Sequence, residues 1–116
     1  MVVCIPVAVD GSVDPRWGRA GRVAVARVKA GELESWEEYD VGWDRLHDAG
    51  TEGGHHARIA RFLREHEVEV VGAGHMGPPM EHMLRKMGIA VHTAIAGDAR
   101  QALAGMLDPS EPDRRG

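Results

Sequence analysis

Residues 68–79 read Val-Glu-Val-Val-Gly-Ala-Gly-His-Met-Gly-Pro-Pro, and this stretch decides the fold class. Its apolar first part is typical of a short buried strand, and the glycines that follow predict a tight loop. Pro78 and Pro79 suit the first turn of a helix, where a missing amide hydrogen costs nothing. The apolar stripe of that helix is formed by Met80, Met83, Leu84 and Met87, which we expect to be core residues. A buried strand that enters a helix through a short loop is a unit of an α/β sheet.

Three strands are predicted before this unit. An almost wholly apolar run over residues 2–9 predicts a strand buried on both faces, in which Pro6 indicates a bulge or an edge-facing amide. Residues 22–28 and 33–41 predict two more strands, and residues 29–32 have the composition of a hairpin turn between them. The first half of the chain therefore favours antiparallel neighbours.

The rest of the chain alternates helices with strands. After a polar loop over residues 42–54, apolar side chains recur at helical spacing over residues 59–66. Residues 89–95 predict the last strand, and Asp98 with Gln101 forms a capping-box pattern that begins a third long helix. The predicted order is therefore β-β-β-α-β-α-β-α.

This order favours an α/β fold with a mixed five-stranded sheet and three helices on its faces. Two hairpin-type links come first and two right-handed βα crossovers follow, which a mixed sheet accommodates. We expect one domain over residues 1–108 and a polar, disordered tail over residues 109–116.

Composition excludes several classes of protein. The 116 residues are 43% hydrophobic and 28% charged, which is typical of a globular domain. Because Cys4 is the one cysteine in the sequence, an internal disulfide is excluded, and so is any site that needs several cysteines from one chain. Cys4 lies in a predicted buried strand, so we expect its thiol to be an unreactive core group. A net charge of −4 gives no support to nucleic-acid binding, and no apolar run suits a membrane span or signal segment. We expect a cytoplasmic protein.

The loop over residues 72–77 matches the pattern G-x-G-x-x-G between a strand and a helix. Gly74, His75, Met76 and Gly77 are the candidate binding residues in it, because glycines let a backbone approach an anion and a helix N-terminus offers free amides. A phosphate or nucleotide module is one interpretation, with Asp98 as the acidic partner about 20 residues on. Only one short strand follows, which is too little for a dinucleotide half-domain, and Asp98 is also explained as a helix cap.

Basic residues and histidines are expected at the same end of the sheet as this loop. Arg16 and Arg19, with Arg22 nearby, follow the first strand and suit oxyanions or thioanions, although solvated arginines are the alternative. The candidate metal ligands are His47, His55 and His56, in the polar loop and at the helix entry. Their spacing matches no standard zinc pattern, and a solvated helix start is the alternative for His55 and His56. The arginines of that helix, Arg58, Arg61 and Arg64, are spaced as a solvated face.

Four features in this order resemble the dinitrogenase iron–molybdenum cofactor biosynthesis family. They are the first strand ending at Asp10-Gly11, the turn over residues 13–20 (Val-Asp-Pro-Arg-Trp-Gly-Arg-Ala), the Gly/His loop before the first helix, and residues 70–78. The resemblance covers residues 2–107 and implies a ribonuclease-H-like sheet and a small carrier or scaffold for cofactor precursors and related metal–sulfur clusters. Where the family commonly has His-Phe-Gly, this chain has Arg16-Trp17-Gly18. A guanidinium has no lone pair for a metal, but it can pair with an anionic thiometallate.

These observations together predict a non-enzymatic binding protein for an anionic metal–sulfur cluster, iron–sulfur or molybdenum-containing, or for its precursor. A cluster-assembly protein is a candidate partner, and no group of residues has a catalytic pattern. Two alternatives stay open. One is the phosphate or nucleotide module, and the other is a protein-interaction subunit that exposes Trp17, Trp36 and Trp43 as an interface.

Overall fold

The computed structural model describes residues 1–46 and 50–107, and five strands in them form one mixed sheet. The strands are β1 (Val2–Pro6), β2 (Arg22–Lys29), β3 (Glu32–Asp40), β4 (Val70–Gly72) and β5 (Ala90–His92). The helices are α1 (Trp43–Leu46), α2 (Glu52–Glu65), α3 (Pro78–Lys86) and α4 (Ala99–Leu107), and Trp17–Arg19 is a 3-10 turn. The predicted α/β class and element order are confirmed. The one-turn helix α1 lies in what we expected to be a loop.

The strand order is β3-β2-β1-β4-β5, so β1 is central. It pairs antiparallel with β2 and parallel with β4, and β4 in turn pairs parallel with β5. This order is compatible with the ribonuclease-H-like fold. The expected bulge at Pro6 is absent, because β4 pairs only with Val3 and Cys4 and the missing amide lies beyond that ladder.

Both faces of β1 are buried, which explains its unbroken apolar sequence. Cys4 belongs to a core on the face covered by α2 and α3, where Ile59 and Leu84 pack. Ile5 faces a second core, which includes Leu103 of α4. Burial raises the pKa of the Cys4 thiol, in agreement with the inert thiol predicted above. In the described part of the chain, no helix has the length and apolarity that crossing a bilayer requires.

The turn between β2 and β3 yields a first prediction. It consists of Ala30 and Gly31, which both have positive φ, at 55° and 79°. This is the backbone of a two-residue hairpin turn, in which asparagine and glycine are favoured and a Cβ on other residues is strained. We therefore expect Ala30→Asn to raise the free energy of unfolding by about 0.5–1 kcal/mol in urea titrations.

The control for this turn is Ala57→Asn, at an exposed position inside α2. There the same substitution replaces the best helix former and should lower stability by about 0.6 kcal/mol. Equal signs for the two variants would contradict the strain that we assign to Ala30.

Candidate functional site

A cavity of about 310 Å³ lies where the segment after β1, the loop after β4 and the first turns of α2 and α3 meet. Most of the residues expected at a binding site line it, namely Arg16, Arg19, His55, His56, His75, Met76 and Gly77. The other lining residues are Pro15, Trp17, Gly18, Pro79 and Met80. Parallel strands β1 and β4 carry their following loops to one end of the sheet, which is why residues far apart in sequence share this cavity.

Direct backbone contact joins the two loops. Arg16 and His75 form a parallel bridge outside the sheet. A Cβ on Gly74 would lie 3.2 Å from the Cα of Pro15 and 3.4 Å from the carbonyl oxygen of Ile95. Gly74 does not line the cavity. The absence of a side chain at Gly74 lets the loop over residues 72–77 (the glycine loop) pack against the turn over residues 13–20 (the arginine segment).

Asp14 holds Arg16 in place, although it was not among the site residues expected from the sequence. Its carboxylate is buried, with the residue 5% exposed, and accepts hydrogen bonds from the Arg16 backbone amide, Nε and Nη2 at 3.0, 3.2 and 3.3 Å. These hydrogen bonds, with the carboxylate charge, raise the pKa of Arg16. An aspartate two residues before the amide it caps is an Asx-turn pattern, which is the signal that could have identified it.

Of the three arginines expected near the turn, two border the cavity. Arg16 and Arg19 line it with exposed side chains. Arg22 instead lies on β2 and pairs with Glu38 of β3 at 3.5 Å. The cationic wall of the cavity therefore comes from one short segment.

His55 is a buried, hydrogen-bonded histidine. Its Nε2 donates to the carbonyl of Gly18 at 2.8 Å, and its Nδ1 accepts from Arg58 Nη1 at 2.8 Å, which fits the tautomer protonated on Nε2. Arg58 also donates to the Leu46 carbonyl at 3.2 Å, so the solvated position expected for Arg58 is wrong. His55 thereby connects the cavity wall to α1. Binding of a metal by His55 stays a prediction, and it would require Nδ1 to release Arg58.

The remaining metal predictions have no metal-binding group to support them. Within residues 1–46 and 50–107, no three His, Cys, Asp or Glu side chains are arranged to hold a metal ion. His56 and His75 line the cavity, and His47 lies outside the described residues, as does the predicted tail over residues 109–116. Ligation by His47 and His56 stays a prediction.

The start of α3 is poor in amide donors. Of its first three residues only Met80 has an N–H, since Pro78 and Pro79 carry none, and the Glu81 amide already donates to the Gly77 carbonyl at 3.0 Å. The expectation of several free amides at this helix end is therefore wrong. A phosphate cradle needs such amides, so the geometry disfavours the nucleotide interpretation. Asp98 is confirmed as a helix cap, since its Oδ2 accepts from the Gln101 amide at 3.1 Å.

Two of the three tryptophans belong to the core. Trp17 and Trp43 are each 1% exposed, and their rings meet edge-on with centroids 5.3 Å apart. Trp36 is half-buried on β3, with the Arg100 guanidinium 4.7 Å from its ring centroid. The alternative in which all three tryptophans form an exposed interface is wrong for Trp17 and Trp43.

The cavity combines a cationic wall with soft apolar groups. Met76 and Met80, which are 7% and 6% exposed, line it beside Trp17, and methionine side chains are soft and polarisable. Met80 was expected in the core stripe rather than at a metal site, and it belongs to the core as well as to the cavity lining. Among the residues that the structure describes, no carboxylate, serine or cysteine lines the cavity. Such a site suits a polarisable anion better than a small, strongly hydrated one.

Comparison with known proteins identifies the family. The chain matches the family described as dinitrogenase iron-molybdenum cofactor over residues 1–108. The chain belongs to this family. The resemblance stated above is thereby confirmed, and it associates the chain with small cofactor-related proteins. No curated protein matches the chain.

Solved structures agree with this membership. The apo form of the orange protein from Desulfovibrio gigas has 27% identity and a TM-score of 0.75, over 92% of this chain and 87% of that one. A candidate dinitrogenase from Methanocaldococcus jannaschii has 13% identity and a TM-score of 0.69, over 92% and 88%. A candidate NifB protein from Thermotoga has 23% identity and a TM-score of 0.61, over 90% and 85%. The last two support the fold alone.

Proposed function

We propose that this chain is a non-enzymatic carrier that binds an anionic metal–sulfur species, iron–sulfur or molybdenum-containing, during metallocluster assembly in the cytoplasm. The observation that carries the proposal is the single cavity that Arg16 and Arg19 border together with His75 and Met76. Membership of a family described by the iron–molybdenum cofactor supports it.

Charge and softness both favour such a cargo. The guanidiniums of Arg16 and Arg19 offset negative charge and offer N–H donors in fixed forks. Asp14 orients the first of these forks before any cargo arrives, so less conformational freedom is lost on binding. Thioethers from Met76 and Met80 provide polarisable contacts for sulfur.

Size favours a compact cargo. Ligand sites commonly occupy roughly 300–1,000 Å³, and a volume of about 310 Å³ is at the small end of this range. A dinucleotide would exceed it, whereas a thiometallate or small cluster is compact. This agrees with the shortage of amides at the start of α3.

A carrier must also release what it binds. A closed set of strong ligands would retain a metal, as structural zinc sites do. Here His75 and Met76 offer at most weak, exchangeable ligation, and the described residues contain no closed ligand group.

The proposal is tested by anaerobic reconstitution. The purified chain is offered iron with sulfide, and separately tetrathiomolybdate with and without copper, and is then desalted. We expect a stoichiometric chromophore and a fixed metal-to-protein ratio from at least one of these mixtures. A colourless, metal-free protein would overturn the proposal. A melting shift with ATP in its place would support the nucleotide module, and altered elution with a cluster-assembly protein would identify a delivery partner.

A further inference from the structure

The indole of Trp17 holds a polar atom without a partner. Trp17 is 1% exposed and lines the 310 Å³ cavity. Its Nε1–H is buried and has no hydrogen-bond acceptor among residues 1–46 and 50–107. It is the one buried side-chain nitrogen or oxygen in this part of the chain of which that is true.

Such a donor calls for an explanation. Buried side-chain donors are nearly always paired, because an unpaired one has lost its hydrogen bonds to water without replacement. The surrounding structure holds the ring rather than letting it turn. The Trp17 indole packs edge-on against Trp43, which in turn meets Phe62 edge-on at 5.8 Å. A fixed, unpaired donor in a cavity wall is what an anion-binding site would keep ready.

The residue beside Trp17 has matching chemistry. Arg16 precedes it on the same segment, lines the same cavity and is oriented by the buried Asp14. One wall of the cavity thus contains a charged fork and a tryptophan whose buried N–H has no partner among the described residues. Neither group has a lone pair to give to a metal, but both donate hydrogen bonds.

We propose that Trp17 is a binding residue whose indole N–H donates to an outer sulfur atom of the cargo anion, beside the Arg16 guanidinium. The cargo is then held through its anionic shell by N–H donors rather than by bonds from protein atoms to its metal. This inference rests on the proposed function. It adds the mode of recognition and a residue for which the sequence suggested an exposed interface only as one alternative.

Two substitutions separate the N–H from the ring. Trp17→Phe keeps an aromatic side chain in the core and removes the donor. Trp43→Phe makes the same change in a tryptophan that is also 1% exposed but does not line the cavity. Both variants lose ring volume and some stability, so a urea titration checks that each is folded. In anaerobic absorbance titrations with tetrathiomolybdate we expect about a tenfold weaker affinity for Trp17→Phe and less than about a twofold change for Trp43→Phe.

A spectroscopic measurement tests the hydrogen bond itself. In ¹⁵N–¹H spectra of the wild-type protein, the Trp17 indole resonance, assigned by its loss in Trp17→Phe, should move downfield on addition of tetrathiomolybdate. An N–H that points at the Trp43 ring would keep its resonance, which would overturn the inference.

The outcomes distinguish the two proposals. Binding of tetrathiomolybdate by the wild-type protein with equal affinity in Trp17→Phe would leave the carrier function standing and overturn the role of Trp17. Failure of the wild-type protein to bind any thiometallate or cluster would overturn both. A loss in Trp17→Phe that Trp43→Phe shares would assign the effect to packing and overturn the inference.

Discussion

Simultaneous replacement of Arg16 and Arg19 by alanine is expected to weaken tetrathiomolybdate binding by about 100-fold. Both side chains line the cavity, and each charge-assisted hydrogen bond to an anion contributes about 1.5–3 kcal/mol. The side chains are exposed, so the lower end of this range applies, and two such bonds give about 3 kcal/mol. Anaerobic absorbance titration measures the affinity, and the colour retained after desalting should be lost.

The matched control for this variant is Arg61→Ala with Arg64→Ala. These arginines are exposed on α2, do not line the cavity, and their removal changes the net charge equally. Because exposed charges are screened over about 8 Å at physiological ionic strength, the control should retain nearly full affinity. If both double variants lost the same affinity for tetrathiomolybdate, the loss would be due to the change in net charge, which would contradict a specific site at Arg16 and Arg19.

The single variants of the same pair should differ. Asp14 orients the Arg16 fork, whereas no hydrogen bond holds the Arg19 side chain among the described residues. The larger part of the loss should therefore follow Arg16→Ala, because a pre-oriented donor loses less entropy on binding. The free energy of unfolding of Arg16→Ala should be measured by urea titration as well, because this substitution removes the charged partner of the buried Asp14.

Gly74→Val is expected to lower the free energy of unfolding by about 3 kcal/mol and the melting temperature by about 10 °C. A single Cβ at this position already lies 3.2 Å from the Cα of Pro15, and valine adds two methyl groups. The neighbouring atoms are backbone, so relief requires the glycine loop to separate from the arginine segment. Thermal melts followed by circular dichroism measure the loss.

Gly18→Val is the control for Gly74→Val. Gly18 lies between Arg16 and Arg19 and lines the cavity, and a Cβ there meets nothing within 4 Å. Its cost should stay below about 1 kcal/mol. If Gly74→Val proved as stable as Gly18→Val, the close approach of the two loops would not be a source of stability.

The architecture followed from the sequence alone, and so did the meeting of the candidate site residues at one end of the sheet. Local patterns sufficed for the strands, for the hairpin at residues 29–32 and for the helix that begins at Pro78. Since parallel strands end at the same side of a sheet, the order of elements also placed Arg16 near His75, and the two residues are bridged in the structure. Periodicity and connectivity are properties of neighbouring residues, which is why they can be derived without coordinates.

The partners of individual polar side chains became known from the three-dimensional structure and not from the sequence. His55 is hydrogen-bonded to the carbonyl of Gly18, 37 positions earlier, and this buried contact contradicts the solvated helix start that was the alternative to a metal ligand. Arg58 lies on the helix face that periodicity predicts to be wet, yet it reaches the Leu46 carbonyl. Trp17 lies in a turn whose sequence does not show that its indole is buried, yet its Nε1–H has no acceptor among the described residues. A side chain's partners depend on contacts between residues distant in sequence, and no local pattern encodes them.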